Sequence, residues 1–277
     1  MKKLSAFLLC LSVLQVHAQK LYIRALAGYA IPSFNSSLII NGYPYTGQAP
    51  ANYLEPAAMN VSKEHASHAA GVVADLHAGY WFQKNIGVDI GLSYLLQSKH
   101  YTARGDFGLG HSTLDITQYA SHPLFGTVSL AFRDDRLLKH FYINAGLLLP
   151  LSNKIITESR PAKSSDSIRT YSRILTTTDM GLGLHGAIGY EYAITKRIGV
   201  TACVSLNALT VWTKSSELQA FTINGIDYID QIPEERRKIS YERNYDVMNS
   251  TNNTALPAYQ LSFSSLSFKI GVSLDLK

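Results

Sequence analysis

The sequence predicts an all-β protein: an eight-stranded antiparallel up-and-down transmembrane β-barrel with short periplasmic turns and long extracellular loops. Three observations lead to this fold class. Apolar and polar residues alternate over long segments, one hairpin pattern occurs twice, and short and long connections alternate strictly between the predicted strands. The short connections lie near 84–85, 134–139 and 195–197, and the long ones at 33–68, 99–113, 154–170 and 214–257. That order of connections is typical of outer-membrane barrels, which have tight periplasmic turns and longer outer loops.

Residues 1–18 have the features of a secretory signal peptide. They begin with a basic pair and continue as an apolar run, which ends in a small residue, Ala18. The apolar run is too short for a membrane-spanning helix of about 20 residues. We therefore expect export, with a mature chain that starts at Gln19 and a single outer-membrane β-barrel domain over 19–277.

Cysteine content and charge narrow the class of protein further. Cys203 is the only cysteine after the leader, so the mature chain forms no internal disulfide. The formal net charge of +5 falls to +3 without Lys2 and Lys3, which is too small to indicate nucleic-acid binding. No apolar run of 18 residues follows the leader, so helical membrane spans are not expected.

The predicted strands comprise one at each end of the chain and three hairpins between them. On each strand one side is bulky and apolar and the other is small or polar, as the period of two of an extended chain produces. A tilted membrane strand needs roughly 9–11 residues, and each predicted strand is long enough to meet this need. A secreted lipocalin-like barrel is the alternative, but it would bury its apolar side. The segments are 21–31, 70–97, 124–151, 180–208 and 261–276.

Two hairpins share a sequence pattern. "GYWFQKNIGVDIGLSY" begins at residue 79 and "GYEYAITKRIGVTACVSL" at residue 189, and both contain Gly-Tyr, a basic turn and Ile-Gly-Val. With the eight strands and the Gln after the leader, they resemble the small outer-membrane β-barrel proteins of Bacteroidetes, of the outer membrane protein beta-barrel domain or PorT-like type. The resemblance covers the mature chain and implies a barrel in the cell outer membrane. Because its motifs are periodic rather than catalytic, it implies no specific activity.

The polar side of the predicted strands carries charges of both signs. An eight-stranded barrel has an interior that side chains just fill, and buried charges are expected in pairs. Closure makes the first and last strands neighbours, so we expect Arg24 or Lys269 to pair with an aspartate of the lumen. The predicted lumen charge network is Arg24, Asp75, His77, Asp89, His185, Glu191, Lys269 and Asp275.

Aromatic residues mark the predicted ends of the barrel and its loops. Four flank the short turns and are predicted interface aromatics: Tyr80, Phe82, Tyr190 and Tyr192. The long loops 33–68 and 214–257 carry tyrosines among small residues, a composition common in contact surfaces. An extracellular ligand or protein at these loops is therefore an expected partner, together with outer-membrane lipid and the barrel assembly machinery.

Three functions stay open on the sequence alone. The first is a monomeric barrel with a plugged lumen and a structural or surface-interaction role carried by its loops. The alternative is a narrow small-solute channel, and a barrel enzyme acting on lipid or peptide is the third. No Gly-x-Ser-x-Gly motif occurs, and His65 and His68 lack an evident further metal ligand. We therefore predict no enzyme and no catalytic, metal or cofactor site.

Overall fold

The computed structural model describes the residues of the barrel strands and part of their connections. The predicted leader and its cleavage site lie outside these residues, as do most of loop 33–68 and the short connection at 134–139. The described ranges are 20–33, 37–38, 64–107, 112–133, 140–161, 169–243 and 255–276.

Nearly all described residues lie in β-strands. A 3-10 turn, Ile229–Gln231, and a one-turn helix α1, Glu234–Arg237, precede β14. No helix in the ranges given above is long and apolar enough to cross a membrane. The strands are β1 Lys20–Pro32, β2 Ser37–Leu38, β3 Glu64–His65, β4 Gly71–Trp81, β5 Ile86–Ser98, β6 Tyr101–Phe107, β7 Ser112–Arg133, β8 Phe141–Pro161, β9 Thr170–Thr178, β10 Gly183–Ala193, β11 Ile198–Ala208, β12 Thr210–Ile223, β13 Ile226–Asp227, β14 Lys238–Glu242, β15 Ala255–Pro257, β16 Gln260–Ser262 and β17 Ser265–Leu276.

Eight of these strands close into a barrel. Their order in space is β1, β4, β5, β7, β8, β10, β11 and β17, and β17 pairs back to β1. Every neighbouring pair is antiparallel. The spatial order follows the chain order, so the predicted eight-stranded up-and-down barrel is confirmed.

The two faces of the barrel wall differ in polarity, as expected for a wall between lipid and a polar interior. Outward residues are bulky and exposed, with Ile90 at 59 % and Ile270 at 63 % exposure. Inward residues are polar and buried, and they include Arg24, Asp75 and Asp89. A soluble barrel would bury the apolar side, so the lipocalin-like alternative is wrong. A closed barrel with an apolar outer belt and a polar interior is an outer-membrane protein.

Three of the predicted extracellular loops are largely strands. The predicted loops 99–113, 154–170 and 214–257 contain β6, the outer ends of β7 and β8, the start of β9, and most of β12 to β15. Beyond the barrel these strands pair in the order β6, β7, β8, β9, β12, β14 and β15. The prediction of plain loops was wrong here because the barrel strands continue past the membrane and pair with one another. We call this outer part the extracellular sheet.

The barrel strands are interrupted where the extracellular sheet begins, at a level we call the waist. β7 has two register shifts around His122, whose φ is 51°. β9 and β10 are separated by residues 179–182, and β11 and β12 by Leu209. Phe263 follows β16 and donates its N–H to the Leu209 carbonyl at 2.8 Å, which brings the break between β16 and β17 beside the break between β11 and β12.

An apolar layer crosses the inside of the barrel at the waist. Phe263 is fully buried, and Leu148 and Val211 are each 1 % exposed. The layer separates the polar lumen of the barrel from the extracellular sheet. Its buried residues are Ala69, Ala120, Phe125, Leu148, Ile155, Leu209, Val211, Leu261 and Phe263.

Candidate functional site

A buried ion pair joins the last barrel strand to the second. Lys269 on β17 donates from Nζ to Asp75 Oδ2 on β4, and both side chains are 2 % exposed. The other Asp75 oxygen accepts a hydrogen bond from Ser93 Oγ at 2.7 Å. Because β1 lies between β17 and β4, the lysine spans the inner face of β1 to reach its partner. The carboxylate is therefore held by a charge and a hydroxyl.

A second cation, Arg24 on β1, lies between two tyrosine rings. Its guanidinium is 4.1 Å from the ring centroid of Tyr22 and 3.8 Å from that of Tyr142. It also contacts Asp89 Oδ2 at 3.8 Å and Glu191 Oε2 at 3.4 Å. The flat, delocalised guanidinium suits this stacking between rings better than an ammonium would.

The repeated Gly-Tyr pattern has a physical reason in these two tyrosines. Gly79 lies opposite Tyr22 and Gly189 opposite Tyr142 in the strand ladders. A Cβ on Gly79 would be 2.0 Å from Tyr22 Cζ, and a Cβ on Gly189 would be 2.2 Å from Tyr142 Cζ. Each glycine therefore provides the space in which the tyrosine ring of its neighbouring strand lies flat against the wall.

His77 connects the two acidic groups. Its Nδ1 is 2.7 Å from Asp89 Oδ1 and its Nε2 is 3.6 Å from Asp75 Oδ2. Tyr22 donates its hydroxyl to Asp89 Oδ2 at 2.8 Å. A continuous chain of polar contacts thus runs from Lys269 through the two aspartates and His77 to Arg24. We call this chain the lumen network.

The remaining predicted lumen residues lie at the margin of the network. His185 contacts Asn207 Oδ1 through Nδ1 at 2.7 Å and is buried. Glu191 contacts Arg24, although its side chain is 28 % exposed. Asp275 is half-buried near the periplasmic end, where its N–H donates to the Arg197 carbonyl at 2.8 Å.

The lumen network nearly fills the barrel interior. A cavity of about 10 Å³ lies beside Arg24, Asp75, His77 and Lys269, roughly what one water molecule needs. Within the described residues, the buried side chains of the network and the apolar layer above it occupy this interior. The same ranges hold no cluster of three or more His, Cys, Asp or Glu residues suited to binding a metal ion.

A short segment, residues 66–70, covers the mouth of the lumen, and we call it the cap. Tyr101 Oη accepts from the Ser67 N–H at 3.0 Å and donates to the Ser67 carbonyl at 3.1 Å. The Lys99 N–H donates to the Ala70 carbonyl at 2.8 Å. All five cap residues are buried, so the cap and the apolar layer together close the outer end of the lumen.

His68 is the unusual member of the cap. It is fully buried, neither ring nitrogen has a hydrogen-bond partner, and its ring is 5.6 Å from that of Phe263. Burial without a partner disfavours the charged imidazolium and lowers the pKa of His68 to about 3. The cap therefore contains a neutral histidine at ordinary pH.

The predicted interface aromatics lie beside the short turns at 82–85 and 194–197. Tyr190 and Tyr192 are 39 % and 60 % exposed, whereas Tyr80 and Phe82 are half-buried. Tyr190 also packs edge-on against Phe141 with ring centroids 5.0 Å apart. Their outward positions beside the turns suit an aromatic girdle at one membrane interface.

Sequence reasoning missed Tyr22, Tyr142 and the cap. The signal for the tyrosines was present, because each lies at an inward position opposite a glycine. That signal requires the register between neighbouring strands, which one sequence does not supply. The tyrosines of loop 33–68 lie outside the described residues, so no structural statement applies to that part of the predicted contact surface.

Comparison with protein-family models and with curated proteins finds no match. Among solved structures, Acinetobacter baumannii CarO2 is 10 % identical with a TM-score of 0.33, covering 92 % of this chain and 99 % of that one. A. baumannii CarO is 14 % identical with a TM-score of 0.31, covering 74 % and 92 %. AlkL, solved in lipid bilayers, is 11 % identical with a TM-score of 0.31, covering 95 % and 92 %. At these scores the likeness carries no argument, and the fold rests on the closed strand order described above.

Proposed function

We propose that this protein is a plugged outer-membrane barrel that anchors the extracellular sheet and presents it, with its loops, for surface interaction. The observation that supports this most strongly is the interior occupied by buried side chains, with a cavity of about 10 Å³ beside the lumen network. A barrel whose interior is occupied by paired charges serves as a stable support, because each charge is compensated where it is buried.

The extracellular sheet supports the presenting role. Its outer face carries charged and aromatic groups in contact with one another: Arg160 is 2.7 Å from Glu158 and lies 5.6 Å from the ring centroid of Tyr171. Tyr119 donates its hydroxyl to Glu158 at 3.2 Å. Such a polar, aromatic surface on a rigid sheet resembles the surfaces that proteins use for recognition.

The proposal extends to export and partners. Residues 1–18 are proposed to direct export and the mature chain to start at Gln19, with one barrel domain over 19–277. Outer-membrane lipid, the assembly machinery and an extracellular ligand or protein are the proposed partners of a monomer. The resemblance of the two Gly-Tyr hairpins supports a barrel of the Bacteroidetes type.

Conductance in planar lipid bilayers tests the proposal against the small-solute channel. We expect no steady ion current from the refolded wild-type protein, since its lumen is filled. The double variant Arg24→Ala and Tyr142→Ala removes the stacked side chains and is expected to admit current. Slower gel migration of each sample after boiling would verify that the barrel is folded before the measurement. Stable ohmic steps from the wild type would support the channel instead.

A further inference from the structure

The hydrogen-bond ladder of the barrel wall has an opening at the waist, between β8 and the chain that joins β9 to β10. Below the opening the ladder ends with Gly183 opposite Leu148, and above it resumes with Thr177 opposite Lys154. Both strands advance by six residues between these pairs, so the register is unchanged while the described ladder has no pairs in between. We call these two segments, which form no ladder with each other, the seam: residues 149–153 and 178–182. A hydrogen bond from Thr178 Oγ1 to the Asn153 carbonyl, at 3.5 Å, crosses the seam.

The sequence of the seam explains why the ladder does not close. Pro150 has no N–H to donate to a neighbouring strand. Gly181 lies so close to the apolar layer that a Cβ there would be 2.8 Å from Val211 Cγ1. The Asp179 N–H donates to the Trp212 carbonyl at 2.8 Å, on the side away from β8. The chain is therefore held towards β12 and the interior.

The outer surface of the seam is strongly apolar. Leu151, Met180 and Leu182 are 51 %, 77 % and 64 % exposed. This surface is continuous with the apolar belt of the barrel, so it calls for an occupant that brings apolar chains. Asn153 adds a donor, because its Nδ2 is buried and has no hydrogen-bond partner.

Two exposed lysines stand just above the apolar surface. Thr177 lies opposite both Lys154 and Ser215, so Lys154 and the neighbouring Lys214 flank the same end of β9. Both lysines are exposed, and no ion pair is found for either within the described ranges. Positive charge directly above exposed apolar side chains complements a lipid with an anionic headgroup.

We propose that the seam binds a membrane lipid with an anionic phosphate headgroup. Its acyl chain covers Leu151, Met180 and Leu182, and its phosphate accepts hydrogen bonds from Lys154 and Lys214. Charge-assisted hydrogen bonds of this kind are stronger than neutral ones. The occupant is a lipid rather than a free anion, because the apolar surface is continuous with the belt of the barrel.

Native mass spectrometry of the refolded full-length mature protein in detergent tests this proposal with phosphatidylglycerol and phosphatidylcholine as probes. We expect phosphatidylglycerol to bind at least about tenfold more tightly than phosphatidylcholine, because a tenfold difference in affinity requires only one modest additional interaction. Lys154→Ala with Lys214→Ala should remove that preference. The matched control, Lys84→Ala with Lys196→Ala, removes equal charge from the two periplasmic turns and should keep it.

A second arm of the experiment distinguishes a lipid from a phosphate ion. Met180→Gln with Leu182→Gln keeps both lysines but removes apolar surface, and it is expected to weaken phosphatidylglycerol binding. Three results would overturn the proposal: equal affinity for the two lipids, equal loss in the periplasmic control, or full displacement of the lipid by inorganic phosphate at the same concentration. Heat-dependent gel migration identical to the wild type establishes that each variant is folded.

Discussion

The barrel and the extracellular sheet share the strands β7 and β8, but the two parts expose opposite kinds of side chain along them. On β8 below the waist, Ile143 is 45 % exposed while its neighbour Asn144 is 3 % exposed. Above the waist, Ile155 is 1 % exposed while the Arg160 side chain is 66 % exposed. This reversal of side-chain exposure indicates that the medium outside the protein changes from lipid to water along a single strand. We infer that the waist marks the outer boundary of the membrane.

The same comparison explains why the strands are interrupted at the waist. Side chains alternate with a strict period of two, so a shift of one residue is needed to move apolar residues from the outer to the inner side. Bulges and breaks supply that shift. β7 shifts register between Ser121 and Leu124, and the β9 to β12 pairing shifts between Thr213 and Ser215.

Removing a lumen charge is the change expected to affect stability most. Lys269→Ala would leave the Asp75 carboxylate buried without its cation, which typically costs about 3–5 kcal/mol. Denaturant unfolding in detergent measures the loss of free energy. The control is Lys238→Ala, whose pair with Glu234 is fully solvated in the extracellular sheet, and its unfolding midpoint should stay near that of the wild type. Equal midpoints for the two variants would show that Lys269 is hydrated.

Two isoleucines of β8, one below the waist and one above it, provide the next test of the comparison between the barrel and the extracellular sheet. Ile155→Ala leaves a cavity in the apolar layer and should cost about 2–5 kcal/mol. Ile143→Ala removes the same atoms where lipid fills the space, so its loss should be smaller. Unfolding free energies of both variants, measured in the same lipid vesicles, check the order. A larger loss at Ile143 would contradict the proposed reversal of faces.

A new charge should be tolerated in the extracellular sheet but not on the lipid face of the barrel. Ile90→Lys places a cation on the lipid face of β5, and a lysine facing lipid costs up to about 2–4 kcal/mol, the value at the bilayer midplane. Ser240→Lys adds the same charge at an exposed position of β14 and should leave stability near the wild type. The fraction of each variant that folds into vesicles, read from heat-dependent gel migration, makes the comparison.

Acid should weaken the cap through His68. The pKa of His68 is lowered to about 3 in the folded protein, so the unfolded state binds more protons below its own pKa of about 6.5. Stability is therefore present above about pH 6.5 and lost as the pH falls, by about 2–3 kcal/mol at pH 4.5. His68→Leu should reduce the drop in unfolding free energy between pH 7.5 and 4.5. An identical drop in both proteins would exclude a neutral His68 as its source.

The sequence was sufficient to predict the barrel but not the extracellular sheet above it. Below the waist, alternation of residues such as Ile90 and Asp89 separates two media, so strand, face and lumen could all be predicted. Above the waist, runs such as Thr176-Thr177-Thr178 and Ser215-Ser216 offer no contrast between faces. Their strands form because neighbouring strands continue beyond the membrane, which is a property of pairing rather than of local sequence.

Quenching of a fluorescent label along β8 tests the central claim most directly. The buried Cys203 is replaced by serine, and single cysteines at Ile143, Leu147, Glu158 or Arg160 are labelled in the refolded protein. We predict that brominated lipid quenches the labels at 143 and 147, while aqueous iodide quenches those at 158 and 160. Lipid quenching at 158 or 160 would contradict a membrane boundary at the waist and the separate extracellular sheet that follows from it.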